Sequence, residues 1–325
     1  MKTIRRLLCL SAGSLLLAVA TATVAQQSHP SRPIRVIVAW APGGSTDLIA
    51  RVAGQKLGEQ LGQQLVIDNR ARASGAIGTD LAAKSAPDGY TLLIGGVTEI
   101  VLNPQIVKVP YDPVRDFAAV SPLAFGYYLL VVHPSLPARS VKELIVLAKA
   151  RPGEINYASG GTGSNLSLVA ELLKTTTGIN MMHIPYKGGG PAGMAVISGE
   201  SQVMFAGIAS VLPFVHSNRL VALALTGPNR SPLLPKVPTF AESGLREMDA
   251  TSWYGLLAPA ATPREIIARL NAEVVKLAAT PDYPAQLEKL GFEPFTSSPE
   301  KFSAFVKTEL DTWGKVIKAA GIKPD

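Results

Sequence analysis

Short β-branched runs alternate with longer stretches of helical periodicity through most of this chain, and no other feature restricts its fold as strongly. Ile34-Arg35-Val36-Ile37-Val38 reads as a strand, and residues 47–61 carry apolar positions at helical spacing. A strand at Leu65-Val66-Ile67 follows, then a helix over 77–85 stopped by Pro87-Asp88-Gly89, then a strand over 90–94. Such a βαβαβ series commits the chain to a parallel sheet with right-handed crossovers. The pattern then restarts. Strands are expected at 128–132, 156–158, 181–184, 203–205 and 221–225, with helices at 141–150, 164–177 and 191–198. Beyond Trp253-Tyr254-Gly255-Leu256-Leu257 the chain is mostly helical. One helix over 263–278 has Thr262 as its expected N-cap and Glu265 as capping-box partner, and another spans 299–320. The economical arrangement packs these last helices on the first sheet, so that the chain crosses between two lobes twice.

The first 25 residues stand apart. Lys2, Arg5 and Arg6 precede an uncharged stretch over 7–24, and Thr23-Val24-Ala25 supplies small residues at a cleavage point. A basic start, an apolar middle and a small-residue exit describe a secretory signal peptide, so export to the periplasm is expected. Removing it leaves 325 − 25 = 300 residues, room for two domains. Cys9, the only cysteine, leaves with it, so the mature chain has no thiol nucleophile or thiolate metal site. Net charge falls to (31 − 3) − 24 = +4, spread along the sequence, which is no footprint for nucleic acid.

Three loops share one chemistry: Pro42-Gly43-Gly44-Ser45-Thr46, Ser159-Gly160-Gly161-Thr162-Gly163-Ser164 and Lys187-Gly188-Gly189-Gly190. Each follows a predicted strand and leads into a helix. Loops at the carboxyl ends of parallel strands bound the usual crevice of open α/β sheets. Helix N-termini there offer unpaired N–H groups to an anion, and glycine lets a ligand approach the backbone. A single loop of this kind is ordinarily a tight turn; three in one chain make an anion site an equal alternative. Gly188, Gly190 and Gly193 match Gly-x-Gly-x-x-Gly, but Pro191 interrupts the match and no acidic residue ends a strand downstream, which argues against a nucleotide. His29, His133, His183 and His216 are scattered, and the chain has neither a Gly-x-Ser-x-Gly elbow nor a P-loop. No catalytic residue, metal site or cofactor is therefore expected. His183 reads as structural, and Asp47 as an acid in a first helical turn. Trp40 and the pair Tyr127-Tyr128 suit a cleft wall or a core equally well.

In order, the segments Trp40-Ala41-Pro42-Gly43-Gly44-Ser45-Thr46-Asp47, Asp68-Asn69-Arg70, Ala86-Pro87-Asp88-Gly89-Tyr90, Pro110-Tyr111-Asp112-Pro113, Asn156-Tyr157-Ala158-Ser159, Pro185-Tyr186-Lys187-Gly188 and Val237-Pro238-Thr239-Phe240 resemble the Bug family, the solute receptors of tripartite tricarboxylate transporters. The likeness runs from about residue 33 to the C-terminus. It implies an α/β, two-lobed periplasmic binding protein of the Venus-flytrap, type II-like kind, each lobe a mostly parallel sheet flanked by helices. The lobes are expected at 30–127 plus 249–325 and at 128–248.

The resemblance also implies a small carboxylate held between the lobes. Carried over by position, the ligand-binding residues are Pro42, Gly43, Gly44, Ser45, Asp47, Ser159, Gly163 and Ser164, and Trp40, Thr98, Tyr186 and Ala206 complete the expected set. Where the family often has an Asp facing the cleft, this chain has Ala206. A buried ammonium without a counter-charge is expensive, so a dicarboxylate or aromatic acid is expected in preference to an amino acid. Ala71, Arg72 and Ser74 also depart from the family's usual loop. Integral membrane transporter subunits are the implied partners of a monomeric receptor; a sensory receptor is the alternative, and an exported enzyme acting on a carboxylate the lesser one.

Overall fold

The computed structural model describes residues 29–248 and 250–319; the leader at 1–25, with Cys9, lies outside them. The first half of the chain builds β1 (Ile34–Val38), α1 (Ser45–Leu61), β2 (Leu65–Asn69), α2 (Ala76–Ala83) and β3 (Thr91–Gly96). A π-helical turn, Thr98–Leu102, runs into the short helix α3 (Asn103–Ile106). Then come β4 (Phe117–Val132), α4 (Val141–Ala150), β5 (Asn156–Ser159), α5 (Asn165–Thr177), β6 (Met182–Pro185), α6 (Gly189–Ser198), β7 (Val203–Gly207), α7 (Ile208–His216) and β8 (Val221–Leu225). The chain closes with β9 (Thr251–Pro259), α8 (Arg264–Ala278), α9 (Asp282–Lys289), β10 (Phe292–Pro294) and α10 (Pro299–Ala319).

Strand order is β2-β1-β3-β9-β4-β7-β5-β6, with β8 and β10 also pairing to β4. β1 lies parallel to β2 and β3, and β5 parallel to β6 and β7, while β4 and β9 run antiparallel to their neighbours. Two lobes result, joined by one strand. Residues 117–127 of β4 pair with β9 in the first sheet, and residues 128–132 pair with β7 and β8 in the second. Only the second part was legible as a strand. Pro122 sits at the register shifts Ala119/Ser121 and Pro122/Ala124, bulges where proline is tolerated within a strand.

Both sheets are covered on both faces, which is why their strands are apolar throughout. Ile34, Val36 and Val38 point into a cluster with Ile49, Leu57, Leu270 and Leu287, so α1, α8 and α9 cover that face. Ile37 and Leu93 point the other way, toward Phe302 and Val306 of α10. In the second sheet Leu130 and Val132 meet Leu144 and Leu173, while Leu129 and Val131 meet Val196 and Val211. Each such buried aliphatic side chain contributes about 1.5–3 kcal/mol. The chain thus returns to the first lobe after β8. The N-cap of α8 differs from expectation: it is Pro263, whose extended ψ of 139° starts the helix one residue late. Thr262 instead donates its N–H to Pro259 O (3.0 Å), and its Oγ1 is buried without a hydrogen-bond partner.

Candidate ligand cleft

Four helix N-termini meet where the lobes face each other. Gly44-Ser45-Thr46 opens α1, Ser164-Asn165-Leu166 opens α5, Gly189 begins α6, and Gly207 precedes α7 with Ser210 in its first turn. The N-caps of α1, α6 and α7 are Gly44, Gly188 and Gly207, which supply no capping side chain. Their first-turn N–H groups stay available, and the helix dipoles place positive potential in the space between. Ser164 differs, because its side chain accepts from Ser167 N and caps α5.

The lobes are closed on one another. Ser74 Oγ donates to Thr162 O (2.8 Å), and Asn165 N donates to Thr98 Oγ1 (3.0 Å). Ser74 adopts a left-handed φ of 47°, held by Asn103 Nδ2 donating to its carbonyl (2.7 Å). Packing at the seam leaves no room for side chains. A Cβ on Gly190 would stand 2.4 Å from Pro42 O, and one on Gly207 would stand 2.0 Å from Ser45 Oγ. The cavity offers about 50 Å³ to the centre of a water molecule, space for a few waters, so a larger solute needs more room than this closed arrangement of the lobes gives.

Of the twelve residues that the sequence pointed to, Trp40, Gly44, Ser45, Thr98, Ser164 and Ala206 line this cavity. The other six stand behind it. Asp47 turns inward, its carboxylate accepting from Gly43 N (3.0 Å), Arg51 Nη2 (2.9 Å) and Asn69 Nδ2 (3.0 Å). Burial pushes that carboxyl up, but Arg51, the Gly43 N–H and Asn69 outweigh it and hold it below the usual carboxylate range. Asp47 thereby fixes the Pro42-Gly43-Gly44 loop. Pro42 turns its carbonyl to Gly190, and Gly163 supplies a left-handed turn (φ 74°) before Ser164. Ser159 is fully buried, bonded to His183 Nε2 (2.6 Å) and accepting from Gly161 N (3.1 Å). His183 stacks on Tyr157 with ring centroids 4.8 Å apart, a structural role. Tyr186 packs with the apolar cluster around Val196.

Other lining residues escaped the sequence reading: Glu99, Asn165, Ser210, Ser252 and Tyr254. Trp40 serves both of its readings, packing with the first-lobe core while its Nε1 donates to Glu99 Oε1. Tyr128 joins the wall and its hydroxyl accepts from Asn165 Nδ2 (2.7 Å), whereas Tyr127 packs outside it. Glu99 is 1% exposed, and burial pushes its carboxyl up to about 7 against the N–H donors of Gly96 and Trp40. It is the one acid or base, tyrosines apart, among the described lining residues.

Two α/β lobes joined by a shared strand, with helix N-termini aimed into an interlobe cavity, define a periplasmic-binding-protein fold. Residues 49–322 match the model of the tripartite tricarboxylate transporter family receptor. Protein BugT of Bordetella pertussis is 37% identical over 307 residues, 93% of each chain. Among solved structures, Rpa4515 of Rhodopseudomonas palustris with adipate is 36% identical at a TM-score of 0.88, covering 91% of this chain and 100% of that one. MatC of the same organism, with bound malate, is 29% identical at 0.83, covering 89% and 99%. The chain belongs to the tripartite tricarboxylate transporter receptor family, a family of binding proteins and not of enzymes.

Proposed function

We propose that this protein is a periplasmic receptor that closes its two lobes on a small carboxylate, a dicarboxylate or aromatic acid by preference, and delivers it to tripartite tricarboxylate-type membrane subunits. The lobes are residues 30–127 with 249–325, and 128–248; the leader at 1–25 directs export, and the receptor acts as a monomer. One observation carries the reading. Four helix N-termini, with hydroxyls from Ser45, Thr98, Ser164 and Ser210, converge on a cavity that, among the described residues, no lysine or arginine lines. Backbone N–H groups and dipoles of that kind hold an anion without a side-chain cation. The adipate and malate in two relatives support the same ligand chemistry.

In this mechanism each lobe offers half a site when open. A ligand favours closure only through contacts it gains there, such as a carboxylate touching α1 and α5 together. Thermal unfolding of ligand-stripped protein against a panel of carboxylates tests the reading. A carboxylate at a hundredfold excess over its Kd stabilises by about 2.7 kcal/mol. At roughly 2–4 °C per kcal/mol for lobes of this size, Tm rises by several degrees. A shift with dicarboxylates or aromatic acids is the expected result, and a panel that shifts for no carboxylate sinks the proposal.

A further inference from the structure

The carboxylate reading leaves Glu99 without a role, although it lines the same cavity. Its Oε1 accepts from Trp40 Nε1 and its Oε2 from Gly96 N (3.1 Å), which fix the carboxyl in place. Its backbone carbonyl accepts from Tyr111 OH (2.6 Å). The titratable groups that face it are the phenols of Tyr111, Tyr128 and Tyr254, each kept protonated by burial. Among the described residues no arginine, lysine or histidine forms an ion pair with it.

A ligand carboxylate that enters this closed space sets a second negative charge beside the first. Two carboxylates in one water-poor site cannot both stay ionised; they share a proton, and the weaker acid keeps it. Free dicarboxylates are acids of ordinary strength, with pKa about 4–5. Resting on the carboxylate reading above, we infer that each ligand binds together with one proton, which resides on Glu99 and turns that residue into a hydrogen-bond donor to the ligand. The proton comes from solvent, and no bond within the ligand changes. The carboxylate accepts from its own N–H, from Gly96 N and from Trp40 Nε1, three of its roughly four lone-pair sites, so the added O–H takes the remaining one without breaking these contacts. Burial has brought the carboxyl to about 7, so part of the rise that binding requires is in place before the ligand arrives. The cleft that has Ala206 in place of an acid therefore still contains a carboxyl, in a form that suits an anion and not an ammonium.

Calorimetric titration of the mature protein with adipate or malate, at pH 8 in buffers of different ionisation enthalpy, counts the protons. About one proton is taken up per ligand at pH 8, falling toward zero by pH 6, while affinity weakens roughly tenfold per pH unit above 7.5. Infrared difference spectra at pH 8 gain a protonated-carboxyl band on adding ligand. Glu99→Gln abolishes the uptake and flattens the pH profile, and the wild-type measurements stand even if that variant folds poorly. Binding without proton uptake at pH 8 overturns the inference and leaves the carboxylate receptor intact. Tighter binding of aspartate than of malate without uptake also overturns it, because Glu99 would then be an ionised counter-charge. Failure of every carboxylate to bind at any pH removes the receptor reading, and this inference with it.

Discussion

Glu99 is buried with no opposite charge beside it among the described residues, and the ligand-free protein must feel that as a dependence of stability on pH. The unfolded chain releases this proton near the ordinary glutamate value of 4.5, whereas the fold holds it to about 7. Between those values the native state binds a proton that the unfolded state has lost, so unfolding free energy falls as pH rises. The loss is complete above 7 and amounts to about 3 kcal/mol at 1.36 kcal/mol per unit. Denaturant titration at pH 5 and pH 8 measures it, and Glu99→Gln removes most of the difference; an unchanged difference in the variant would place the titration elsewhere. The residue was hidden in the sequence. Val97-Thr98-Glu99-Ile100-Val101-Leu102 is an apolar run with one acid, and nothing in its period says that the run curls into a π-helical turn facing the cleft. The usable signal was the isolated ionisable residue itself, just past the carboxyl end of a predicted strand.

Elements were legible where local pattern decides them. β1, α1, α4 and β8 follow from β-branched runs or helical spacing within their own residues. β4 was half read because its first eleven residues owe their strand geometry to β9 and β10, neighbours more than a hundred residues away. α7 was missed because Pro213 sits inside it and because Ile208 continues the apolar run of β7. The three glycine loops were read correctly as helix entries, yet of their fifteen residues only Gly44, Ser45, Thr46, Gly160, Ser164 and Gly189 line the cavity, a distinction that lies in which side of a loop faces it. The α6 entry carries a prediction. A Cβ at Gly190 would lie 2.4 Å from the Pro42 carbonyl of the opposite lobe, a backbone atom that cannot swing aside. In the open form that obstacle is gone. Gly190→Ala should therefore keep the Tm of the ligand-free protein within about 2 °C while weakening carboxylate binding at least tenfold. A large fall in ligand-free Tm would show instead that the glycine serves the fold of its own lobe.

At the scale of the molecule, the lobes are joined by strand β4 and by the non-strand return between β8 and β9, and the seam is held by a few polar contacts. The Thr98 hydroxyl accepts the Asn165 N–H that begins α5, so it bridges the lobes only when they are closed. When they part, both groups meet water and lose little. Thr98→Val keeps the shape of this buried side chain and removes the acceptor, which leaves the N–H of Asn165 unpaired in the closed form alone. One hydrogen bond is worth about 0.5–1.5 kcal/mol net, so the equilibrium moves toward the open form by roughly two- to tenfold. Ligand affinity falls by that factor in calorimetry, because binding must then supply the closing energy that the bond supplied before. Solution scattering of the ligand-free variant shows a larger radius of gyration, which saturating carboxylate restores to the wild-type closed value. Equal radii for variant and wild type, with equal affinities, would mean that this contact follows closure without driving it.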